Sequence, residues 1–308
     1  MHINPFPYKD KWYKGNLHCH STDSDGRLSP SEVAAIYKSR GWNFLAFTEH
    51  RLYTHHKEFD DENFIIIPGV ELDVHNEDPL RIYHVVGIGR TDLASEEAGY
   101  KHGETIPCPS WEGLDSAQRM IDDLNGKGNL SIFCHPIWFR LELNDFIGLD
   151  GFFAMELYNT GCALENHTGL CVDYWDSLLR RGRKVWGVAA DDSHHVNQDQ
   201  CGGWVMVNAP ELTIQAITDA LEKGHFYSST GPEIYSLTLQ DDEVYVECLP
   251  VKAIHFVAYE EFGHSFWAPK GGNISSARHR LNGREKYVRV ECVDQEGNTA
   301  WSNPIFLK

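Results

Sequence analysis

Short apolar runs alternate with amphipathic, capped segments between Lys14 and about Tyr227. At Ser29-Pro30-Ser31-Glu32, an N-cap serine, a proline at the first helical position and a capping-box glutamate predict a helix that ends at Gly41. Strand-like runs cover 42–48, 64–68, 82–87, 130–134, 152–157, 184–190 and 204–207, and further helices are predicted near 114–127, 169–181 and 214–223. This alternation indicates a repeat of βα units.

The pattern changes after residue 227, where helical periodicity gives way to short alternating runs. These runs cover 234–240, 243–248, 253–259, 287–292 and 299–306, with turn sequences between them. We therefore predict two domains, an α/β unit over 1–227 and a small all-β, sandwich-like domain over 228–308. The stretch 90–110 has no clean period and is expected to be a long loop or an insertion.

Composition and charge limit the possible functions. The chain has 308 residues, 42% of them hydrophobic, and a formal net charge of −18 without a basic block, which argues against binding of long nucleic acid. No run approaches the roughly 18 apolar residues of a membrane span, so we expect a cytoplasmic protein without membrane contact. The eight cysteines are scattered without a CxxC pair and are expected to be reduced thiols. The sequence does not indicate an oligomeric state.

Histidine and carboxylate residues follow most of the predicted strands of the α/β unit. In a βα barrel the carboxyl ends of the strands converge on one face, so these side chains are expected to share one cleft. Burying so many polar groups would be costly unless a cation neutralised them, and imidazoles with carboxylates are typical ligands of borderline divalent metals. The candidates are His18, His20, Asp25, Glu49, His50, Glu71, His84, His135, Glu156, Asp192 and His194.

Seven short motifs resemble, in the same order, those of the polymerase and histidinol phosphatase (PHP) family. They are Leu17-His-Cys-His-Ser-Thr22, Ser24-Asp-Gly26, Thr48-Glu-His50, Gly69-Val-Glu71, His84-Val-Val-Gly87, His135-Pro136 and Asp192-Ser-His194. The resemblance spans about Lys14 to Tyr227 and implies a distorted (β/α)7 barrel with two to three divalent metal ions: Zn, Mn or Fe. The segments 156–159, 175–179, 191–194 and 226–232, with the β domain that follows them, resemble the carbamate-hydrolase-like branch of the family. The segment 24–30 is similar to its nucleotide phosphoesterases.

The resemblance also implies how the metal ligands are grouped. His18, His20 and Asp192 would hold one ion, and Glu71 would bridge it to a second ion held by His84 and His135. A third site would consist of Asp25, His50 and His194. Glu49 stands where the family usually has an aspartate. We expect Glu156 and Asn159 to support the ligands rather than to bind metal directly.

The leading interpretation is a metal-dependent hydrolase. Its substrate would be a small phosphomonoester or a short nucleotide, attacked by a hydroxide that bridges the metal ions, with Glu71, His135 and Asp192 as the catalytic residues. The chain contains no Gly-x-Ser-x-Gly elbow that would supply a serine nucleophile. An alternative is hydrolysis of a carboxylic ester, amide or carbamate at the same site. A third possibility is a binding or sensing protein with structural metals.

Three arginines lie a few residues beyond ligand motifs and are candidates for binding a phosphate group: Arg27, Arg51 and Arg140. A planar guanidinium suits phosphate oxygens, although each could equally be a surface residue. Trp111, Trp138 and Phe139 would either stack on a base or an aromatic leaving group or pack beneath the long loop.

Two other histidine positions are interpreted from their neighbours in the chain. We expect His195, beside His194, to point away from the cleft. We expect His55 and His56 to lie in a solvated loop, with substrate contact as the alternative.

Overall fold

The computed structural model describes residues 2–77, 80–91 and 99–307. The helices within these ranges are α1 (Pro30–Ser39), α2 (Leu114–Gly126), α3 (Leu143–Phe146), α4 (Thr160–Asn166), α5 (Val172–Arg180) and α6 (Ile214–Glu222). Helix α1 begins as predicted, since the Ser29 side chain accepts a hydrogen bond from the backbone N–H of Glu32 and the Glu32 carboxylate accepts one from Ser29. None of the helices in the described residues combines the length and the apolar character that a membrane crossing requires.

Thirteen of the strands in the described residues precede Thr230, and the first of them pairs with the C-terminal strand Ile234–Gln240. They are β1 (His2–Ile3), β2 (Trp12–Asn16), β3 (Phe44–Ala46), β4 (Leu52–Tyr53), β5 (Ile65–Ile67), β6 (Gly69–Glu77), β7 (Leu80–Gly89), β8 (Glu104–Thr105), β9 (Asn129–Phe133), β10 (Ala154–Asn159), β11 (Trp186–Ala190), β12 (Trp204–Asn208) and β13 (Phe226–Ser229). Each strand-like run of the sequence prediction in this region overlaps one of them.

Two open runs of paired strands form the framework of the α/β region. One is a five-stranded sheet in the order β11-β10-β9-β7-β6, in which β9, β10 and β11 are parallel and β7 is antiparallel to both of its neighbours. The other run, β13-β12-β2-β3-β5, contains parallel pairs only among β2, β3 and β5. The fold is therefore mixed α/β. In the part of the chain that the structure describes, strand pairing does not close these runs into a ring.

Apolar side chains fill the space between these strand runs and the helices. Phe44, Val86, Val188 and Val205 come from four different strands and, with Leu17 just after β2, belong to one buried cluster. Helix α2 covers the five-stranded sheet with the face formed by Ala117, Met120, Ile121 and Leu124, which recur at helical spacing. The polar side chains at the strand ends do not belong to this core. They form a separate layer on one side of it.

The C-terminal region is a β-sandwich with eight further strands. They are β14 (Ile234–Gln240), β15 (Glu243–Val251), β16 (Ala253–Ala258), β17 (His264–Trp267), β18 (Ile274–Arg280), β19 (Tyr287–Val293), β20 (Thr299–Ser302) and β21 (Ile305–Phe306). One sheet has the order β1-β14-β15-β18, and its buried side chains pack with those of β16 and β19. The sequence prediction lacks β17 and β18, whose mostly exposed residues show little alternation of apolar and polar types.

Strand β13 connects the α/β region to the sandwich within one ten-stranded sheet. One edge of β13 pairs with β12, and the other edge pairs with β20, where Tyr227 is opposite Ser302. The predicted domain boundary at 227/228 therefore lies inside a strand, and backbone hydrogen bonds run across it.

A buried arginine joins helix α5 to the same sheet. Arg289 of β19 is 1% exposed, and its guanidinium donates two hydrogen bonds to Asp176 of α5, at 2.9 and 2.8 Å. A third hydrogen bond goes to Glu291 at 2.5 Å, and the guanidinium lies 4.8 Å from the ring centroid of Trp175. This buried charge is neutralised by carboxylates of the chain itself.

The predicted loop over 90–110 is only partly described, because residues 92–98 lie outside the described residues. Within the described part, β8 pairs with β4, and Tyr100 packs against Tyr53 with ring centroids 5.1 Å apart. Just beyond this segment, Trp111 stacks on Tyr83 at 5.7 Å, with the ring planes 8° apart. Trp111 therefore packs against the framework, as one of the two sequence interpretations expects.

Candidate metal centre

His18, His20 and Asp192 are brought together by hydrogen bonds between two chain segments. The backbone N–H of Asp192 donates to the carbonyl of His18 at 2.8 Å, and the N–H of His20 donates to the carbonyl of Ser193 at 3.1 Å. The segment 18–20 thus lies beside 192–193 just beyond strands β2 and β11. His18 and His20 are each 1% exposed.

Two imidazole nitrogens and two carboxylates surround a common point in this layer. His18 Nε2 and His20 Nε2 each lie 3.2 Å from Asp192 Oδ1 and 3.3 Å from an oxygen of Glu71. Both nitrogens are buried, and among the described residues neither has a hydrogen-bond partner. Buried polar atoms usually have a partner, so converging nitrogens and carboxylates in this state fit a divalent cation.

A second group of possible ligands lies towards the cleft opening, centred on Asp25. Its Oδ1 is 3.3 Å from His194 Nε2 and 3.7 Å from His20 Nδ1, and its Oδ2 is 3.4 Å from His50 Nε2. The residues grouped in the sequence prediction for a third site, Asp25, His50 and His194, are therefore adjacent, with His20 beside them.

Glu71 occupies the centre of the cluster and contacts the remaining histidines. Its Oε1 is 2.7 Å from His84 Nδ1 and 3.2 Å from His135 Nε2, and its Oε2 is 3.1 Å from His50 Nδ1. Glu71 and His84 are on the antiparallel strands β6 and β7, where Asp73 is opposite His84, so the two side chains are diagonal neighbours. All nine expected ligands thus lie within one connected cluster, and their roles as ligands stay a prediction.

Electrostatics within the cluster favours the charged forms of Glu71 and His18 despite burial, whereas burial lowers the pKa of His84. Burial raises the pKa of the Glu71 carboxyl, but the charges of His84, His18 and His50 outweigh this effect and hold the pKa well below its usual range. Burial lowers the pKa of His18, but the carboxylates of Asp192, Glu71 and Glu156 raise it well above its ordinary value. Positive charge on the imidazoles balances the carboxylates here, as a metal ion would.

Glu156 and Asn159 support the ligands from behind, as the sequence analysis expects. Glu156 Oε1 is 2.6 Å from His18 Nδ1, and its Oε2 accepts hydrogen bonds from the backbone N–H of His135 and from the side chain of Asn159. The Asn159 amide also donates to Asp192 Oδ2 at 3.1 Å. A carboxylate on the far nitrogen of a ligand histidine fixes the orientation of the ring.

Asp191 is a buried supporting residue that the sequence analysis missed. Its carboxylate accepts hydrogen bonds from Tyr37 at 2.7 Å, Thr160 at 2.8 Å and the backbone N–H groups of residues 201–203. The side chain of Asn16 also donates to it. Its position next to Asp192 in an Asp-Asp pair was the available signal, but a single sequence does not show which of two adjacent carboxylates faces inward.

Glu49 holds the turn that carries Asp25. Its Oε1 accepts hydrogen bonds from the backbone N–H and the hydroxyl of Ser21, at 3.0 and 2.5 Å, and its Oε2 accepts one from the hydroxyl of Ser24. Glu49 is fully buried. Through these hydrogen bonds, Glu49 fixes the turn over residues 21–25, which carries Asp25.

A cavity of about 310 Å³ opens above the cluster. Seven of the nine expected ligands line it, whereas His18 and His20 lie deeper. The other lining residues are Arg27, Trp138, Gly161, Cys162, Glu165 and His195.

Three expectations about residues near the cleft need correction or refinement. His195 lines the cavity instead of pointing away, because the segment after β11 is not a strand and Asp199 holds the His195 ring through Nδ1 at 3.0 Å. His55 and His56 are buried, at 8% and 7% exposure, instead of lying in a solvated loop. His56 Nε2 lies 3.1 Å from Asp23 Oδ2.

The three candidate arginines occupy different environments. Arg27 lines the cavity. Arg51 donates from Nε to Asp73 at 3.0 Å, and Arg140 is exposed at the end of the turn that follows His135. The described part of the cavity wall includes neither Arg51 nor Arg140. Phosphate binding by any of the three stays a prediction.

Comparison with known proteins gives short sequence matches and matches to solved structures. No family model matches the chain. It is 38% identical over 79 residues to the DNA polymerase/3'-5' exonuclease PolX of Bacillus subtilis, which covers 20% of this chain and 14% of that protein. It is 37% identical over 79 residues to a 5'-3' exoribonuclease of Haemophilus influenzae, covering 24% and 28% respectively. The chain thus spans less than a third of the length of either relative.

One of the structural matches extends over nearly the whole molecule. A two-domain protein of Bacteroides vulgatus, described as containing a predicted PHP-like metal-dependent phosphoesterase, matches with a TM-score of 0.50 and 14% sequence identity over 97% of both chains. At this identity the likeness concerns the fold.

Proposed function

We propose that this protein is a metal-dependent phosphoesterase that hydrolyses a small phosphomonoester or a short nucleotide. The observation that carries the proposal is the convergence of six histidines and three carboxylates at the floor of one cavity, with buried Nε2 atoms of His18 and His20 facing Asp192 and Glu71. Such a cluster has little structural use without a cation, since an apolar core of equal volume would cost less to bury.

The chain offers ligands for two to three divalent ions: Zn, Mn or Fe. His18, His20, Glu71 and Asp192 would hold one ion, and Asp25, His50 and His194 with His20 would hold another. Glu71 with His84 and His135 offers the remaining set, since both histidines contact the same carboxylate oxygen. When bound, such ions activate water and neutralise charge on the ester and on its leaving group.

The protein's own residues bind and orient the substrate. The Arg27 guanidinium on the cavity wall is available to pair with oxygens of a phosphate group. Glu156 fixes the ring of His18, and Asn159 fixes Asp192, so the floor of the cavity is preorganised before substrate enters. We assign Glu71, His135 and Asp192 as the residues on which catalysis depends most.

The relatives support phosphate-ester chemistry by their names. One is a polymerase and 3'-5' exonuclease, another is a 5'-3' exoribonuclease, and the extended structural match is described as PHP-like. We further propose that the α/β region is a distorted (β/α)7 barrel of the PHP family and that the protein belongs to the carbamate-hydrolase-like branch of that family.

Cavity size and charge favour a small substrate. A volume of about 310 Å³ is at the lower end of the range for ligand pockets, which suits a single nucleotide better than a chain of several. The net charge of −18 opposes the approach of a long polyanion. We therefore propose a small-molecule substrate rather than long nucleic acid or a membrane.

A second candidate function is hydrolysis of a carboxylic ester, amide or carbamate at the same centre. The favouring observation is the scarcity of cationic side chains: the described cavity wall contains one guanidinium, that of Arg27, and no lysine. A neutral carbonyl substrate needs fewer of them than a phosphate dianion does.

The deciding experiment measures metal content by mass spectrometry and assays the same sample on p-nitrophenyl phosphate, a dinucleotide and p-nitrophenyl acetate. Two to three metals with release of phosphate support the phosphoesterase. Metals with ester cleavage alone select the second candidate. A chain that stays without metal after reconstitution contradicts both.

A further inference from the structure

One wall of the cavity is built from residues outside the expected ligand set. Trp138 belongs to the turn that follows His135, and Gly161, Cys162 and Glu165 belong to helix α4. Positions 161, 162 and 165 lie on one face of the helix, because residues three and four apart are neighbours. This wall stands next to the metal centre without contributing any of the nine expected ligands.

The wall is fixed in place relative to the centre. The Trp138 indole Nε1 donates to Glu165 Oε2 at 2.8 Å, which joins the two elements. Asn159 accepts from the backbone N–H of Cys162 at 2.9 Å while its amide contacts Asp192. A side chain on Gly161 would come within 2.8 Å of the Asp192 carbonyl oxygen, so only glycine allows this approach.

Its chemistry is that of a flat apolar ring beside a carboxylate. An indole stacks on aromatic rings and on nucleobases. Glu165 Oε2 accepts the indole hydrogen bond, and Oε1 is suited to accept hydrogen bonds from hydroxyl groups of a ligand. An exposed carboxylate at this position repels a second phosphate group.

On the premise of the proposed function, we propose that Trp138 and Glu165 form the leaving-group subsite of the enzyme. The subsite selects phosphomonoesters whose leaving group is a flat, uncharged and hydroxyl-bearing ring system, as in a nucleoside. It disfavours leaving groups that carry a second phosphate. In the reaction the P–O bond to the leaving group breaks, the oxygen of water bonds to phosphorus, and a proton from that water ends on the leaving-group oxygen.

The test compares kcat/KM of the metal-loaded enzyme on adenosine 5'-monophosphate, glycerol 3-phosphate and adenosine 3',5'-bisphosphate. We expect the wild type to prefer the nucleoside monophosphate over glycerol phosphate by about tenfold or more, since stacking on one base is worth about that much. We expect a preference of similar size over the bisphosphate, because the Glu165 carboxylate repels its second phosphate group. Trp138→Leu should reduce the preference over glycerol phosphate about tenfold, mainly through KM. Glu165→Gln should reduce the preference over the bisphosphate by a similar factor.

Matched controls separate a subsite from a general loss of structure. Trp267→Leu replaces an indole that is 66% exposed on β17, and Glu62→Gln replaces an exposed carboxylate away from the cavity wall, so both should leave the ratios unchanged. Calorimetry with adenosine, which reports binding without turnover, should show about tenfold weaker affinity for Trp138→Leu.

The outcomes distinguish the subsite from the function itself. If the metal-loaded wild type cleaves none of the phosphate esters, the proposed function is wrong. If it cleaves them but Trp138→Leu and Glu165→Gln change every substrate by the same factor, the phosphoesterase stands and the subsite is rejected. Unequal changes in the expected directions support both.

Discussion

Buried charged and polar groups have different partners in the cleft and at the contact between helix α5 and the C-terminal sheet. At that contact, Arg289 is bound by Asp176 and Glu291, so the protein provides every opposing charge. In the cleft, His18 Nε2 and His20 Nε2 are buried without hydrogen-bond partners among the described residues. The first arrangement is neutralised by the protein itself. In the second, a divalent cation would supply the missing partner for both nitrogens, which is the basis of the proposed metal site.

The largest effect is expected when an expected metal ligand in the cleft is removed. If the proposed function is right, Asp192→Ala and His135→Ala should reduce hydrolysis by roughly three orders of magnitude or more, because each would remove an expected ligand of the activating ions. Metal content, measured by mass spectrometry, should fall with activity. Arg289→Met is the comparison variant, and its activity per folded molecule should remain that of the wild type. Full activity in Asp192→Ala would remove that residue from the catalytic assignment.

The next largest effect is on protein stability and concerns Arg289 with its two carboxylate partners. Arg289→Ala leaves two carboxylates without their partner and should lower the free energy of unfolding by about 3–5 kcal/mol, measured by urea denaturation. Arg180→Ala, an exposed arginine on α5, should change it by less than about 0.5 kcal/mol. Equal effects of the two substitutions would show that the buried group does not stabilise the contact.

A smaller effect is expected from a residue that only orients a ligand. Glu156→Gln should weaken metal affinity by about 10–100-fold in a chelator competition, because Glu156 holds Nδ1 of His18. The exposed Glu142→Gln provides the matched control. Unchanged affinity in Glu156→Gln would mean that the ring of His18 is positioned by its packing alone.

The smallest expected effect is a pH dependence of the metal-free protein. Burial lowers the pKa of His50, but Glu71 and Asp25 outweigh it and raise the pKa to about 9. Burial likewise lowers the pKa of His194, and Asp25 with Asp192 raises it to about 9. Because these values exceed the ordinary value of 6.5, the protonated histidines stabilise the fold below about pH 6.5, and this contribution is lost as pH rises through about 9.

Thermal unfolding without metal should therefore show Tm falling by a few degrees between pH 6.5 and 9. The rise in Tm on adding metal should grow over the same interval, since the ions displace fewer protons at higher pH. Asp25→Asn removes a carboxylate that raises both pKa values and should flatten the slope. An equally steep slope in that variant would place its origin outside the cleft.

Local sequence signals predicted much of the fold and the composition of the cleft. Helix α1 begins where its serine and glutamate indicate, and all nine expected ligands lie together. These features depend on capping and on strand ends, which are local or regular properties of a chain. The antiparallel placement of β7 was not predictable, because an apolar run does not reveal the direction in which a strand pairs.

The orientation of side chains outside regular structure was less predictable. His195 was expected to point away on the assumption that neighbours alternate, but 191–200 is not a strand, and Asp199 determines where the ring lies. The wall formed by Trp138 and Glu165 depends on two segments that meet only in the folded chain. Contacts of this kind carry no period in the sequence.

The ten-stranded sheet also constrains the order in which the protein can form during synthesis. Gly15 of β2 pairs with Val205 of β12, and Ser228 of β13 pairs with Trp301 of β20. An emerging N-terminal segment must therefore remain without its antiparallel neighbour until most of the chain has left the ribosome. Such distant pairings slow folding and expose strand edges in the meantime.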